Sequence, residues 1–482
     1  MHEPTEEQRL IIEAARRTQD NLLVNALAGA AKTSTLEMVC HAVTNIPILS
    51  LAFNKRIADE MSKRLPGHVE VRTLNALGHR VWAAACGRRL VVDSNKMRGI
   101  LRAVIDEMPK GARRDEAFEE FSDTLRLISK AKRDGYVPPQ WNGPCKPVFG
   151  EEWWLDCDES SLQNNLITET LKRSIIAAYE GGIDFDDQIY MPVCFGGTWP
   201  KFPLILVDEA QDLNELQHEM LARLVAKRLI AVGDPWQSIY AFRGAKQNGM
   251  AAMRERWNMR ELTLSVTFRV PRLGVERAWS RVPHMKWREG APDGEITHLD
   301  TWSSDDIPDH AAIVCRNNAP LLSLGFKLLR AGRAIKLVGF DIGAGLVRVL
   351  KKLGPANLDP QGIERAIGAW AESALRRAKN PDTVYDRADC LRALCEGRRS
   401  LQEAITYAEN LFKQEGPIQL LSGHKAKGLE WPVVVHLDAW RIPSKFAKPG
   451  TEAYEQELNV KYVIESRFKE RLVLANLEGW QE

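Results

Sequence analysis

Two adjacent carboxylates, Asp208 and Glu209, directly follow a short apolar run and have the residue types needed for metal-dependent hydrolysis. The run, residues 204–207, is aliphatic and partly β-branched, which predicts a strand buried in a parallel sheet. Ligands of open α/β sheets bind at the carboxyl ends of the strands. A carboxylate at Asp208 therefore suits a magnesium ion, and a carboxylate at Glu209 suits a base that activates water.

A second candidate site lies upstream, where the small-residue sequence ALAGAAKT spans residues 26–33. An apolar run at residues 22–24 precedes it, and a helix is predicted over residues 34–43. Strand, loop, Lys-Thr and helix follow in the order of a phosphate-binding loop, in which backbone N–H groups hold the phosphates. Lys32 would reach the outer phosphates, and Thr33 would bind magnesium. The residues predicted to hold the nucleotide are Ala28, Gly29, Ala30, Ala31, Lys32, Thr33 and Ser34.

The loop departs from its usual pattern at Ala31, where a glycine is expected before the lysine. We expect Ala31 to keep an ordinary helical backbone angle, so that its methyl group points away from the phosphates. A distorted loop that binds ATP poorly is the alternative. A simple small-residue turn from strand to helix would explain the loop without any function, but the downstream carboxylates favour nucleotide binding.

Length and composition limit the class of protein. A chain of 482 residues can form about three or four domain-sized units. The net charge of +2 excludes a uniformly basic nucleic-acid coat, so a site for a polyanion must be a local patch. The eight cysteines form no CxxC pair and no zinc pattern, so we expect reduced thiols and an intracellular protein. No signal peptide and no membrane span, which needs roughly 20 apolar residues, is predicted.

Short apolar runs alternate with helical patterns along most of the chain, as they do in α/β proteins. Two charged, helix-patterned stretches interrupt this alternation. The predicted architecture is therefore two α/β cores, each interrupted by a mainly helical insert. The predicted segments are residues 1–87 and 184–261 for the first core, 88–183 for its insert, 262–342 and 415–482 for the second core, and 343–414 for its insert.

Three further motifs follow the loop. GDPWQSIYAFRG spans residues 233–244, TFR spans residues 267–269, and HKAKGLEW spans residues 424–431. Together with DEAQD at residues 208–212, they resemble the motifs of UvrD/Rep-type superfamily 1 DNA helicases, and the chain is similar to the F-box DNA helicase branch without an F-box region. The resemblance covers nearly the whole chain. It implies two RecA-like parallel-sheet cores, with ATP and Mg²⁺ as cofactors.

The resemblance also implies residues that recognise the nucleoside. Gln8 matches a glutamine that reads the adenine edge, and a solvated residue at a helix start is the alternative. Phe268 matches an aromatic that stacks on adenine, and Glu430 matches a contact to the ribose.

Other matching residues act on the phosphates. Gln237 matches a sensor of the terminal phosphate, with a buried structural glutamine as the alternative. Arg269 and Arg467 match two arginines that stabilise the transferring phosphoryl group, a role that can accelerate hydrolysis by roughly 10³–10⁵. The motif around Arg467 departs from the more usual family residues at Lys461, Glu465, Ser466 and Phe468.

Several segments resemble those that contact DNA in the family. Phe242 would stack on a base, although a core aromatic is the alternative. His424 would link the nucleotide and DNA sides. An aspartate-rich turn at residues 184–187 also resembles the family, and simple capping of a helix is its alternative. The residues predicted to bind DNA are Phe53, Asn54, Lys55, Thr73, Asn75, Phe242, Arg243 and His424.

The expected function is an ATP-dependent DNA helicase or translocase in DNA repair, replication or recombination. Its partners would be single-stranded DNA, DNA junctions, and recombination or replication proteins. The 3′-to-5′ direction is implied by the resemblance alone. The alternatives are a nucleic-acid-binding module with an inactive ATPase, an ATP-gated anti-recombinase that strips proteins from DNA, and an RNA helicase.

Overall fold

The structure is a computed structural model that describes residues 3–52, 54–138, 161–239, 249–338, 341–376 and 381–481. The chain divides into two compact units, one formed by Met1–Ala26 with Ala31–Leu264 and the other by Leu27–Ala30 with Ser265–Glu482. Each unit contains a six-stranded sheet, which confirms the predicted α/β class with two parallel-sheet cores. Among the helices of the described ranges, none has the length and apolar character that crossing a membrane requires.

The first unit alternates strands and helices and contains the first insert. Its strands are β1 Leu22–Ala26, β2 Ile48–Leu51, β3 Val69–Arg72, β4 Val91–Val92, β5 Gly182–Ile183, β6 Phe202–Val207, β7 Val225–Gly233 and β8 Arg260–Leu264. Its helices are α1 Glu6–Arg17, α2 Lys32–Ala42, α3 Lys55–Arg64, α4 Leu74–Cys86, α5 Lys96–Asp106, α6 Ala112–Glu119, α7 Phe121–Arg133, α8 Ser161–Tyr179, α9 Asp187–Phe195, α10 Glu215–Leu224 and α11 Gly249–Trp257.

The strands of the first sheet run parallel in the order β3-β2-β6-β7-β1-β8. The apolar residues of the four inner strands β2, β6, β7 and β1 are mostly buried on both faces, as expected for a parallel sheet covered by helices. The registers place Leu51 beside Val207 and Asn25 beside Gly233. The loops that follow β1, β2, β6 and β7 therefore emerge at one edge of the sheet, where the sequence predicted the phosphate loop and the carboxylates.

The helices of the first insert have an apolar cluster of their own. The sides of α5, α7 and α8 that face each other supply buried aliphatic residues such as Leu101, Leu127, Ile128 and Leu171. The insert therefore has a small hydrophobic core among its own helices. Its boundaries at residues 88 and 183 stay a prediction.

The second unit has the same alternation. Its strands are β9 Val266–Thr267, β10 Lys286–Trp287, β11 Glu295–Leu299, β12 Ala312–Cys315, β13 Ile335–Leu337, β14 Ile418–Ser422, β15 Trp431–Leu437 and β16 Phe468–Ala475. Its helices are α12 Arg272–Ala278, α13 Asn318–Arg330, α14 Asp341–Leu350, α15 Pro360–Leu375, α16 Pro381–Cys395, α17 Leu401–Leu411, α18 Gly423–Ala426 and α19 Glu452–Glu465.

The second sheet is also parallel, in the order β11-β16-β15-β12-β14-β13. Helices α15 to α17 and all but the first two residues of α14 lie in the predicted second insert, residues 343–414. They share one apolar cluster with the sheet, in which Leu346, Leu391 and Leu411 join Ile313 and Leu420. The second insert is thus packed as part of its unit.

A cluster of buried ion pairs connects helices α5 and α7 of the first insert to the aspartate-rich turn at the start of α9. Lys132 of α7 has no exposed side-chain surface, and its Nζ lies 2.7 Å from both Asp184 Oδ2 and Asp187 Oδ1. Lys96 Nζ of α5 lies 2.6 Å from Asp187 Oδ2. Burial alone would lower the pKa of Lys132, but the two carboxylates raise it above its ordinary value. The aspartate-rich turn therefore does more than cap a helix, because it neutralises buried lysines.

Replacing Lys132 by methionine should strongly destabilise the first unit. The substitution keeps the length of the side chain but leaves buried carboxylates without their partner, which costs about 3–5 kcal/mol. Lys130→Met is the matched control on the same helix, because Lys130 pairs with Asp134 at 3.0 Å on a partly exposed surface. The control should change the free energy of unfolding by less than about 1 kcal/mol. Urea denaturation of both variants followed by fluorescence measures the difference, and equal losses would contradict the assignment.

Candidate active site

The predicted phosphate-binding loop turns from β1 into α2 through two residues with left-handed backbone angles. Gly29 has φ 72°, and Ala31 has φ 57° and ψ 41°. The expectation that Ala31 keeps an ordinary helical angle is therefore wrong. Ala31 precedes the first turn of α2 and already accepts the Thr35 N–H at 2.9 Å, so the change of direction falls on this residue. A residue with a Cβ costs roughly 1–2 kcal/mol in this conformation.

The side chains predicted to act on phosphate and metal lie together in the first unit. Thr33 Oγ1 donates to Asp208 Oδ2 at 3.1 Å, and Lys32 Nζ lies 4.0 Å from Glu209 Oε1. Both pairs arise because α2 begins at Lys32 and β6 ends just before Asp208. The hydroxyl and the Asp208 carboxylate are close enough to contribute to one cation site.

This donor set fits magnesium in the presence of a nucleotide. Burial and the neighbouring Glu209 carboxylate raise the pKa of Asp208 to about 6, in spite of Lys32 and the hydrogen bonds to Asp208. A divalent cation would favour the ionised form. Magnesium usually binds one or two carboxylates, phosphate oxygens and water. In the described part of the chain, no cluster of three or more His, Cys, Asp or Glu residues suited to a metal occurs.

A chain of hydrogen bonds connects the predicted base to the predicted phosphate sensor. Gln211 Nε2 donates to Glu209 Oε2 at 2.5 Å, while Gln211 Oε1 accepts the Asp234 N–H at 3.0 Å. Gln237 Nε2 donates to Asp234 Oδ2 at 2.6 Å. Gly233 leaves room for this path, because a Cβ there would lie 2.5 Å from Gln211 Oε1. The sequence interpretation missed Gln211 and Asp234, although both lie inside motifs that it had identified.

Glu209 itself has a left-handed backbone angle, with φ 53°. Its backbone N–H donates to Asp208 Oδ1 at 2.8 Å, so this turn helps to fix the Asp208 carboxylate. Such backbone angles cost about 1–3 kcal/mol and occur often at functional sites.

Gln8 is a buried residue in the first turn of α1. It forms a capping box with Thr5, whose N–H donates to Gln8 Oε1 at 3.0 Å. Gln8 Nε2 donates to Thr35 Oγ1 of α2 at 2.9 Å. The alternative of a solvated helix-start residue is therefore wrong, whereas the adenine contact stays a prediction.

In the second unit, Arg269 is near the predicted ribose contact. Arg269 Nη1 lies 3.5 Å from Glu430 Oε2, and Lys469 Nζ lies 2.5 Å from Glu430 Oε1. Burial acts to raise the pKa of Glu430, but the hydrogen bond from Lys469 and the charge of Arg269 hold it below its ordinary value. Two predicted site residues, Arg269 and Glu430, are thus brought together.

Arg467 is a buried arginine held at the end of α19. Its Nε donates to the Val463 carbonyl at 2.8 Å, and its Nη2 donates to Ser466 Oγ at 3.2 Å. Its backbone N–H donates to the Ile464 carbonyl at 3.1 Å. The position of this guanidinium therefore depends on the last turn of the helix.

The loop residues Leu27–Ala30 group with the second unit. Within that unit, the Phe268 N–H donates to the Gly29 carbonyl at 2.9 Å, and the Ala28 N–H donates to the Tyr462 hydroxyl at 3.0 Å. A Cβ on Gly29 would collide with the Thr267 hydroxyl, so glycine is needed for space as well as for its φ angle. Tyr462 was not predicted, and its hydroxyl is a functional candidate found only in the structure.

The residues predicted to bind DNA occupy loop and helix-start positions. Asn54 caps α3, and Lys55 is exposed beside it. Thr73 caps α4, and Asn75 Nδ2 donates to the Phe185 carbonyl at 3.0 Å. These residues follow β2 and β3, at the same sheet edge as Asp208.

Of the remaining candidates for DNA binding, one lies in a short helix of the second unit and the others lie outside the described residues. His424 lies in the short helix α18 of the second unit. Phe53, Phe242 and Arg243 lie outside the described residues.

Residues 5–258 match the family model of the UvrD/REP helicase N-terminal domain. The chain belongs to the UvrD/REP helicase family. F-box DNA helicase protein 1 of Schizosaccharomyces pombe is 24% identical over 522 residues, covering 98% of this UvrD/REP-family chain and 57% of that relative. The ATP-dependent DNA helicase PcrA of Leuconostoc citreum is 25% identical over 389 residues, covering 68% of this chain and 49% of that relative.

DNA helicase II of Escherichia coli is 26% identical over 384 residues, covering 68% of this UvrD/REP-family chain and 50% of that relative. The chain therefore spans about half the length of the curated relatives it matches. The family assignment agrees with the resemblance seen in the motifs.

Ala31→Gly should leave ATP binding and hydrolysis within about tenfold of the natural protein, or 1.4 kcal/mol. Glycine adopts the observed φ of 57° without a Cβ, so the loop should keep its shape. Its stability should not fall. Ala30→Gly is the matched control, because Ala30 is not among the residues with positive φ; this variant should lose about 0.4–1 kcal/mol of stability through the greater freedom of the unfolded chain. Calorimetry measures the ATP affinity of both variants, and thermal unfolding measures their stability. If the natural protein does not hydrolyse ATP and Ala31→Gly restores hydrolysis, the module with an inactive ATPase is favoured.

Proposed function

We propose that this chain is an ATP- and magnesium-dependent DNA helicase or translocase that acts on single-stranded DNA and DNA junctions. The observation that carries the proposal is the grouping of Lys32, Thr33, Asp208 and Glu209 at one edge of the first sheet. Membership of the UvrD/REP family and the names of the helicase relatives support it.

Nucleotide binding would begin at the loop before α2. Backbone N–H groups there and the N-terminus of α2 favour phosphate oxygens. Lys32 would leave its 4.0 Å distance to Glu209 and contact the outer phosphates. Thr33 and Asp208 would hold magnesium, which neutralises phosphate charge when bound.

Hydrolysis would use Glu209 as the base that accepts a proton from the attacking water. Gln211 would fix the direction of the Glu209 carboxylate through their 2.5 Å hydrogen bond. Gln237 would respond to the terminal phosphate, and Arg269 and Arg467 would stabilise its developing charge. These roles follow the family resemblance residue by residue.

DNA would contact the sheet-edge residues Asn54 and Asn75 together with Phe242, on whose ring a base would stack at about 1–3 kcal/mol per base. Stacking accepts any base, which suits a motor that moves along a strand. The 3′-to-5′ direction is part of the proposal. Partial duplexes with a 3′ or a 5′ single-stranded tail test it, because only the 3′-tailed substrate should be unwound.

The competing interpretations predict different biochemical behaviour. Ala31 has a left-handed backbone angle, which is also accessible to the glycine expected at this position. The loop can therefore keep the backbone shape of a glycine-containing loop, and this favours an active over an inactive ATPase. An RNA helicase would be stimulated by RNA in place of DNA. An anti-recombinase would displace bound protein from DNA with little unwinding.

ATP hydrolysis should rise several-fold when single-stranded DNA is added, and it should fall again as salt is raised. The reason is that DNA binding releases counterions and, in a motor, is coupled to turnover. Steady-state ATPase rates with DNA, with RNA of the same sequence and without nucleic acid measure this. Equal rates in all three would count against a motor, and stimulation by RNA alone would favour the RNA helicase.

Glu209→Gln should reduce ATP turnover by roughly 10²–10⁴-fold while ATP still binds, because the amide keeps the shape but cannot act as the base. Lys32→Ala should weaken ATP binding itself. The two variants thus separate chemistry from binding. Nucleotide affinity by titration and turnover under saturating ATP are the measurements, and normal turnover by Glu209→Gln would remove Glu209 from the proposed role.

A further inference from the structure

A buried carboxylate holds together three elements of the second unit. Glu465, the last residue of α19, accepts from Arg277 Nε at 2.7 Å and from Arg277 Nη2 at 3.0 Å. His436 Nδ1 lies 3.1 Å from Glu465 Oε1, and because a carboxylate only accepts, this nitrogen carries the proton. Burial alone would raise the pKa of Glu465, but these hydrogen bonds and the positive charge of Arg277 lower it to about 2. The group is therefore an anion that accepts three hydrogen bonds from two residues, Arg277 and His436.

These donors come from elements beside the two candidate arginines. Arg277 belongs to α12, the helix that begins shortly after Arg269, and His436 belongs to β15. Glu465 is separated from Arg467 only by Ser466. The Glu465–Arg277 ion pair thus ties the segment that carries Arg269 to the segment that carries Arg467.

A second contact joins the same two segments. A Cβ on Gly274 of α12 would lie 2.7 Å from the ring of Phe468, the residue that follows Arg467. The backbone of α12 therefore packs directly against the start of β16. With the ion pair on one side of Arg467 and this contact on the other, the short turn between α19 and β16 has little freedom to shift along α12.

We propose that Glu465, held by Arg277 and His436, is a positioning residue for ATP hydrolysis that keeps Arg467 in register with Arg269. The inference rests on the proposed function. Two arginines that must reach one phosphoryl group need fixed spacing, since a misplacement of about 1 Å can cost roughly 100-fold in rate.

The decisive variant is Glu465→Gln, which keeps the side-chain size but removes the charge. Its kcat for ATP should fall by roughly 10–100-fold with ATP affinity unchanged, because the arginines act mainly on the transition state. Affinity for ADP with aluminium fluoride, which resembles the transition state, should fall in parallel, while ADP affinity stays the same. Glu465→Asp, which retains the carboxylate, should recover part of the loss.

Glu455→Gln is the matched control. Glu455 belongs to the same helix and pairs with Arg281 at 2.6 Å, just beyond α12, so its loss removes a similar ion pair far from Arg467 in the sequence. It should keep kcat within about twofold of the natural protein. If Glu455→Gln loses as much kcat as Glu465→Gln, the effect is general packing and the proposal is overturned.

Arg277→Gln provides a second route if Glu465→Gln fails to fold. It should reproduce the fall in kcat, and the double variant Arg277→Gln/Glu465→Gln should be no worse than either single change, because the two groups act as a unit. Unchanged kcat in the folded single variants would overturn the proposal. A natural protein without any ATPase activity would instead overturn the proposed function, so the two failures are distinguishable.

Discussion

The alignment of strand ends in a parallel sheet is the constraint on which the rest of the first unit depends. Parallel strands all point the same way, so the loops after β1, β2, β6 and β7 leave from one edge. Residues far apart in sequence become neighbours there, as the 3.1 Å hydrogen bond between Thr33 and Asp208 demonstrates. Chemistry placed on these loops is supported by strands that are buried on both faces and have little freedom to move.

This arrangement of loops requires strained backbone angles in the loops that follow β1 and β6. Ala31, which precedes Lys32, and Glu209, the proposed base, both have left-handed backbone angles. Asp208 bears an electrostatic cost as well, because burial and Glu209 raise its pKa. Strain and charge crowding of this kind persist only where neighbouring packing and hydrogen bonds fix the geometry. The bonds from Gln211 to Glu209 and from the Asp234 N–H to Gln211 supply that support.

The sequence was a good guide wherever a motif followed a buried strand. The α/β class, the two parallel sheets and the pairing of Thr33 with Asp208 could be predicted, because strand pattern and motif order constrain them directly. The angle at Ala31 could not, since residue type alone favours the right-handed form and the turn into α2 overrides that preference. Gln211 and Tyr462 were missed because their partners are set by tertiary contacts rather than by spacing.

Each unit contains a buried charged side chain that connects separate helices or strands and limits how far they can shift relative to each other. In the first unit Lys132 lies between Asp184 and Asp187, and in the second unit Glu465 lies between Arg277 and His436. Well-packed apolar side chains could give similar stability, because desolvation offsets much of the attraction between buried charges. Apolar contacts, however, tolerate small shifts that a hydrogen-bonded ion does not. The ion pairs of Lys132 and Glu465 are therefore better explained by the geometry they impose than by the stability they add. A site assembled from distant segments of the chain requires such fixed geometry.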